Sequence, residues 1–524
     1  MSNSPMMIKN SAKGFVYNGD TKVITQITDV DYPSNVADGS QLSVVSITRT
    51  GSVATVTFAT AHGYTNGRVV TISAANQAEY NGSFIITYID TLTFSYTVTG
   101  APVTPATGTI KSQLLQQTVP GIVVIDGTYY VMTPKAEIYG SALEDPLTWT
   151  ALNFITAEVE FDGGVAIAKY LNLLMAFGTW STEIFADMSN AAPGSPLGRQ
   201  DNVYLPVGCA DARTIATGAS TVVWLAQAKE GSAGASAGRK MMTMEGFAHK
   251  LISTPPIERT INHSNLSVIY SFLITIAGHQ LYGLTLVDTA ITLVYDFNTT
   301  HWYQWTSTAL GNAQTVTTLT MSSDGISALV YLPAHGYADG DPVLISGATQ
   351  TDYNGTHNIT YIDVDNFSYA LATTPVSPAT GTVLATGSVE SYFSLLYHAA
   401  AGNANLFIDK ANGYVYQLSD AAYDDAGAYI NFVSRTPNVD MSSTEYKRIT
   451  RLDLIGDKVT GSALVRYSKD DYQTHSNYRV VPLGTVRSHI SRVGRARRAS
   501  FDVRVTDSIP VRFERMDVFM EGGE

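Results

Sequence analysis

The sequence predicts an all-β protein: a β-propeller scaffold with two inserted, homologous small β modules (barrel or sandwich) and a C-terminal β segment. Three observations point there. Thirty Tyr and 42 Gly in 524 residues supply side chains that suit a pleated surface and turns to join short strands. Short apolar runs recur with turn residues between them. One block of the chain also occurs twice: Ala61-His62-Gly63-Tyr64 returns as Ala334-His335-Gly336-Tyr337, and Tyr80-Asn81-Gly82 as Tyr353-Asn354-Gly355. Tyr88-Ile89-Asp90, Phe94-Ser95-Tyr96 and Pro105-Ala106-Thr107-Gly108-Thr109 follow in both copies, as Tyr361-Ile362-Asp363, Phe367-Ser368-Tyr369 and Pro378-Ala379-Thr380-Gly381-Thr382. Stacked solenoid repeats must touch to bury a core, so copies this far apart read as modules plugged into a scaffold.

The elements follow in order. An N-terminal scaffold segment occupies residues 1–40 and the first module residues 41–112. The module alternates apolar and polar positions, and Asn81-Gly82 is expected to make a tight hairpin turn, as is Asn354-Gly355 in the second copy. The propeller core takes residues 113–312. There Val123-Val124-Ile125 and Thr128-Tyr129-Tyr130-Val131 flank Asp126-Gly127, a hairpin signal, and lead to Glu137-Ile138-Tyr139-Gly140. The same plan recurs from Ile167 to Phe185, from Thr221 to Phe247 and from Ser271 to Trp302. The second module interrupts at residues 313–387, the core resumes at 388–446, and a basic β segment closes the chain at 447–524. Leu464-Val465-Arg466-Tyr467 and Phe501-Asp502-Val503-Arg504-Val505 alternate there as half-buried strands do, which predicts a small terminal sandwich or barrel. About five or six blades fit this spacing, and a string of β-sandwiches is the competing architecture. Inserted modules survive where their ends lie close together, so both are expected to project from scaffold loops.

Composition narrows the function. The net charge is −13, but from Lys447 onward 15 Lys+Arg stand against 10 Asp+Glu, leaving an acidic body of 17 against 35. Such a body repels polyanions, whereas Arg492, Arg495, Arg497 and Arg498 form a candidate partner or subunit interface. Four arginines fall short of a long basic arm with interleaved stacking aromatics, which favours a protein interface over direct nucleic-acid binding. The lone Cys209 makes no internal disulfide, the start shows no export signal, and the most apolar stretch, Val268 to Val287, is broken by His279, Gln280 and Gly283, so no membrane span is expected.

Catalytic patterns do not hold up. Gly234-Ala235-Ser236-Ala237-Gly238 has the nucleophile-elbow spelling but sits in a Gly/Ser/Ala loop rather than between strand and helix. His62 and His335 lack further ligands at metal spacing and read as turn residues. Asp424-Asp425 and Asp470-Asp471 are adjacent pairs that point to opposite faces of a strand, unlike glycosidase carboxylates. Ser468 to Thr474 resembles an Asp-box turn, with Tyr472 in the glycine's place. Cys209 has no basic neighbour and reads as packing. No catalytic, cofactor or metal residue is expected. Tyr64, Tyr80, Tyr337 and Tyr353 are candidate module surface contacts.

Two stretches resemble a known family. Phe177-Gly178-Thr179-Trp180-Ser181-Thr182-Glu183-Ile184-Phe185, with Pro193 and Gly208-Cys209-Ala210, is similar to the central blade region of packaged-DNA stabilisation proteins, the tail hub or nozzle of short-tailed bacteriophages. Arg492-Val493-Gly494-Arg495-Ala496-Arg497-Arg498, with Phe501 to Asp507 and Pro510-Val511, resembles that family's closing motif. The likeness covers about residues 114–310 and 388–524 and leaves the modules as additions. It implies a non-enzymatic virion protein, assembled in the host bacterial cytoplasm, that forms a ring, expected as a hexamer, below the portal and adaptor. It further implies that this ring extends the DNA channel, retains the packaged genome and passes it at ejection. Implied partners are the head-to-tail adaptor, tail fibre, spike or needle proteins, transiting double-stranded DNA without sequence specificity, and the host surface through the modules. An acidic conduit suits this role, because cationic walls would grip phosphates and resist sliding. The alternative is a carbohydrate-binding or depolymerising β-propeller of a phage tail.

Overall fold

The computed structural model describes residues 5–160, 162–190, 193–229, 238–393, 395–401, 404–409, 412–425, 428–440 and 445–522. It divides into two compact units, Met1–Leu273 and Ile274–Glu524. Strand accounts for 55% of the chain, so β-branched and aromatic content has set the fold class. Pro255–His263 is the one α-helix among the described residues.

In the first unit, consecutive strands fold back on their predecessors as antiparallel meanders. A three-stranded sheet (Met6–Lys9, Gly14–Asn18, Val23–Gln26) is followed, beyond the first module, by four-stranded sheets Val123–Ile125 to Asp145–Thr156 and Gly164–Tyr170 to Leu197–Leu205, then by a sheet centred on Val222–Gln227 and Lys240–Glu245. Asp126 and Gly127 both adopt positive φ, 47° and 86°, and close the expected two-residue hairpin. The sheets stack face to face. Met7, Val16 and Tyr32 pack on Tyr129, Val131 and Trp149. The other face of that sheet, with Ile125, Tyr130 and Met132, meets Ile167, Leu174 and Phe185. Phe177 and Ile184 on the next face meet Cys209, Val222 and Trp224. Each middle sheet is therefore buried on both sides, as a blade is. Burial of each such side chain contributes about 1.5–3 kcal/mol.

The first module is two four-stranded sheets closing on one core. Ser46–Thr50, Val53–Thr57, Thr93–Thr97 and Thr87–Tyr88 form one, and Leu42–Ser43, Gly108–Leu114, Val69–Ala75 and Gly82–Ile85 the other. The second module, within the second unit, repeats the plan, but its entering and leaving strands are long. His301–Thr315 pairs with Gly381–Tyr392 from Thr306↔Tyr392 to Thr315↔Leu384, so the insertion leaves its parent sheet as a paired ribbon.

Asn-Gly does not make the expected tight turns, although the strands on either side pair antiparallel in both modules. Asn81 has φ −83° and ends a short 3-10 turn, Ala78–Tyr80, in a longer connection. Its side chain instead clasps the Ala75 backbone, accepting from the N–H at 2.9 Å and donating to the carbonyl at 2.8 Å. Asn354 does the same to Ala348 at 3.0 and 2.8 Å. A side chain that supplies both cross-strand bonds removes the need for a left-handed turn.

The second unit ends in a sandwich. Phe432–Arg435, Ser500–Val505, Ser462–Ser468 and Arg479–Pro482 form one sheet, and Ser488–Ala496, Lys447–Gly456 and Phe513–Gly522 the other. Leu452, Val465, Val481, Ile490, Val493 and Phe501 fill the space between them. The first of these strands, Phe432–Arg435, precedes residue 447, because the alternating segment needed one more strand to cover its edge.

Candidate partner-binding surface

The expected arginines lie on and just beyond Ser488–Ala496. Ile490, Val493 and Ala496 point into the core, whereas His489, Ser491, Arg492 and Arg495 are exposed. The alternation is offset by a bulge. Ile449 pairs Gly494 and Arg451 pairs Ser491, so Arg492 and Val493 stand opposite the single residue Thr450. Arg492 takes φ 57° there, and a bulge re-aims side chains in this way. Gly494 is favoured by its φ of 97°, and the Lys469 ammonium crosses directly above it.

The four arginines do not act as one group. Arg495 and Arg497 share the exposed ring of Tyr446, with guanidinium carbons 5.9 and 4.9 Å from its centroid. Arg498 is engaged by the Asp471 carboxylate. Arg492 stands at the bulge. The structure adds cations that the sequence reading missed. Arg448 is directly opposite Arg495 in the register, a like-charge pair that is unfavourable by itself. Arg479 donates to the Ser491 carbonyl at 2.5 Å and to the Tyr467 hydroxyl at 3.2 Å, and Lys469 lies over the same Tyr467 ring at 5.0 Å. Burial, and then repulsion from Arg479, lowers the Lys469 pKa below its ordinary value. The legible signal was the Tyr446-x-Arg448 alternation; Lys469 reaches the face only through the turn that follows its strand.

The opposite sheet is fastened on the face away from the sandwich core. Buried Asp502 accepts from Arg435 at 2.7 and 2.9 Å and from Arg466 at 3.0 Å. Burial alone would raise this carboxyl, and the two guanidiniums reverse the effect and hold it below the usual carboxylate range.

The four module tyrosines are not surface contacts, which corrects the expectation. Tyr80 and Tyr353 are fully buried, Tyr64 is buried, and Tyr337 is half-buried against the second module's core. Tyr96 donates to the Tyr80 carbonyl at 3.1 Å and Tyr369 to that of Tyr353 at 3.0 Å, so these rings carry the modules' internal bonds. His62 accepts from the Tyr64 N–H at 3.0 Å, and its other ring nitrogen meets the Asp90 carbonyl at 3.0 Å. His335 repeats both contacts, at 3.0 and 2.9 Å. Both are buried turn braces.

The remaining lookalikes fall likewise. Asp470 brackets its turn through Ser468 Oγ at 2.8 Å and the Thr474 N–H at 2.9 Å, and bonds from the Thr474 hydroxyl and N–H lower its pKa to about 2. Asp425 accepts from the Thr308 N–H at 3.3 Å. Cys209 is buried, and its thiol is pushed up to about 12 by desolvation. The Gly234–Gly238 spelling lies, apart from Gly238, outside the described residues. No cluster of three or more His, Cys, Asp or Glu suited to a metal occurs among the described residues.

The stretch around Gly178–Phe185 is a structural brace. Asp162 accepts from the Trp180 and Ser181 N–H groups at 2.5 and 2.9 Å, and buried Glu183 accepts from the Val159 N–H at 2.7 Å and Arg199 Nε at 2.6 Å. Gly208 passes so close to Thr179 that a Cβ would lie 2.4 Å from its carbonyl carbon.

The sequence matches the family described as "Bacteriophage P22 Gp10, beta-propeller" over residues 9–317. The match takes in the stacked sheets and the first module's place, and stops before the arginine-rich end. Among curated proteins nothing matches. Solved structures with some similarity include BamB from Moraxella catarrhalis (9% identity, TM-score 0.22, covering 73% of this chain and 98% of that one). An exo-β-1,3-galactanase from Phanerochaete chrysosporium gives 9% identity and TM-score 0.23 over 92% of this chain and 99% of that one. The phage phi92 endosialidase gives 11% and 0.13 over 56% and 66%.

Proposed function

Because the chain belongs to the bacteriophage P22 Gp10 family of β-propeller proteins, which stabilise packaged DNA, we propose that it forms an oligomeric ring, a hexamer, that extends the DNA channel below the portal and adaptor. In this reading the ring retains the genome until ejection and then passes it. The protein is a phage structural component of the virion; ring, adaptor contact and conduit are the finer reading. The same reading gives it no catalytic step.

The observation that carries the reading is the division of charge between an acidic body and the cationic face around Arg492, Arg495 and Arg497. The acidic body favours weak contact with a sliding duplex. The cationic face, with Arg448 set opposite Arg495, favours an acidic protein surface on the adaptor or a neighbouring subunit, where guanidinium forks pair carboxylates with geometric specificity. Arg495→Glu with Arg497→Glu tests this. The monomer's thermal midpoint should stay within about 2 °C, since exposed substitutions shift stability little, while assembly with itself and the adaptor is lost in sedimentation velocity. Unchanged assembly would remove the face from the interface.

A further inference from the structure

We propose that the Thr-Tyr-Ile-Asp tips of the two modules, Thr87-Tyr88-Ile89-Asp90 and Thr360-Tyr361-Ile362-Asp363, are contact sites for an uncharged saccharide. The duplication is an internal record of which surface positions kept their identity. Positions around the tips have changed between the copies: Arg68 against Asp341, Thr91 against Val364, Leu92 against Asp365. The tips have not changed, although their apolar side chains face water. Tyr88 and Tyr361 are 40% and 42% exposed, and Ile89 and Ile362 are 51% and 49% exposed.

The pose is also the same. His62 meets Tyr88 at 5.9 Å between centroids and His335 meets Tyr361 at 5.8 Å, both at 62° between planes. Each histidine is itself braced by a backbone carbonyl and an N–H, so the exposed ring is held by a buried one. The Tyr88 N–H is taken by Asn66 Oδ1 at 3.0 Å and that of Tyr361 by Asp339 Oδ1 at 3.0 Å. With that donor occupied, the edge strand is a poor template for an added strand, which disfavours an extended peptide as the occupant.

Size and charge select among the rest. At these exposures a Tyr and an Ile offer about 200 Å² per tip, against about 800 Å² per partner in a standard protein interface. That area suits one sugar ring lying on an aromatic face. Charge disfavours an anionic ligand common to both copies, because residues 41–112 hold Arg49, Arg68 and Lys111 against Glu79 and Asp90, whereas residues 313–387 hold six Asp and no Lys or Arg. Each tip moreover carries its own exposed carboxylate. Asp90 and Asp363 are held ionised, chiefly by the N–H groups of Leu92 and Asp365, which repels anions and leaves lone pairs for sugar hydroxyls. The two tips give the chain two sites of the same chemistry.

The test is the intact chain on a printed array of neutral and acidic bacterial oligosaccharides, followed by interferometry on the strongest neutral hit at 50 and 300 mM salt. The expected result is retention on neutral glycans that is insensitive to salt. Tyr88→Ala with Tyr361→Ala should abolish it, whereas either single change should leave the other tip's binding in place. Tyr88→Phe with Tyr361→Phe, which keeps the stacking face, should bind within a few-fold of the parent, and thermal midpoints should be unchanged throughout. No retained neutral glycan, preference for acidic glycans lost with salt, or a double Ala variant that binds like the parent would each overturn the proposal.

Discussion

The two modules share a core and differ at their seats. In the first, Arg68 donates to Asp38 at 2.8 Å and to the Leu115 carbonyl at 3.0 Å, and Lys135 pairs the same Asp38 at 3.1 Å. In the second, the equivalent residue is Asp341, and it accepts from Arg504 of the terminal sandwich at 3.2 Å. Asn66 has become Asp339, whose second oxygen takes the Tyr478 N–H at 3.0 Å while the first still holds the module's own edge strand. The interior tolerates little change, since Tyr80 and Tyr353, Phe94 and Phe367, and Tyr96 and Tyr369 fill one shape twice. The seat needs only complementarity with its surroundings. Reversing one charge therefore fits a single domain to two places and keeps each copy out of the other's seat.

The largest effect should come from breaking what the copies share. Tyr80→Ala and Tyr353→Ala each remove a fully buried ring, and each should cost its module about 3–5 kcal/mol. Hydrogen exchange resolved to module peptides checks this, and a loss confined to one copy would show that the cores are not equivalent. A smaller effect should come from exchanging seats. Asp341→Arg copies the first module's charge into the second and sets it against Arg504, which should weaken docking by about 1–3 kcal/mol. Arg504→Asp added to it should recover most of the loss, measured as protease resistance across residues 313–387.

The smallest effect is one of pH. The Asp38 carboxyl lies below its ordinary value because bonds and attraction from Arg68 and Lys135 outweigh its burial, and Asp502 is lowered by Arg435 and Arg466 against a burial term of opposite sign. A lowered folded pKa means that each contribution is complete above the unfolded carboxylate value, about 3.9, and is lost as pH falls through the folded value. Stability should therefore be flat from pH 7 to 5 and fall below about pH 4, in both the first module's seat and the terminal sandwich. A loss beginning near pH 6 would point to histidine instead.

Particular residues show how far the sequence could be read. Asp126-Gly127 was legible because both positions take positive φ, as the dipeptide's chemistry prefers. Asn81-Gly82 was not, since an Asn side chain can either permit a left-handed turn or close a longer connection by itself, and only the path of the chain decides. Repetition singled out Tyr64, Tyr80, Tyr337 and Tyr353, but repetition marks cores as readily as surfaces. Tyr88 and Tyr361 recur just as faithfully and are the exposed ones, because their strands are short sheet edges, which no local pattern reveals. Among the arginines, Arg498 belonged to Asp471 from another turn, while Lys469 and Arg479 joined the face from a turn and a strand distant in sequence.

Electron cryomicroscopy of the purified chain, alone and with a head-to-tail adaptor, shows whether the protein forms a conduit. Closed six-fold rings are expected, with an open axial channel that admits duplex DNA and with the arginine face buried between protein surfaces. Particles that stay single, or rings with no passage through them, would contradict a conduit.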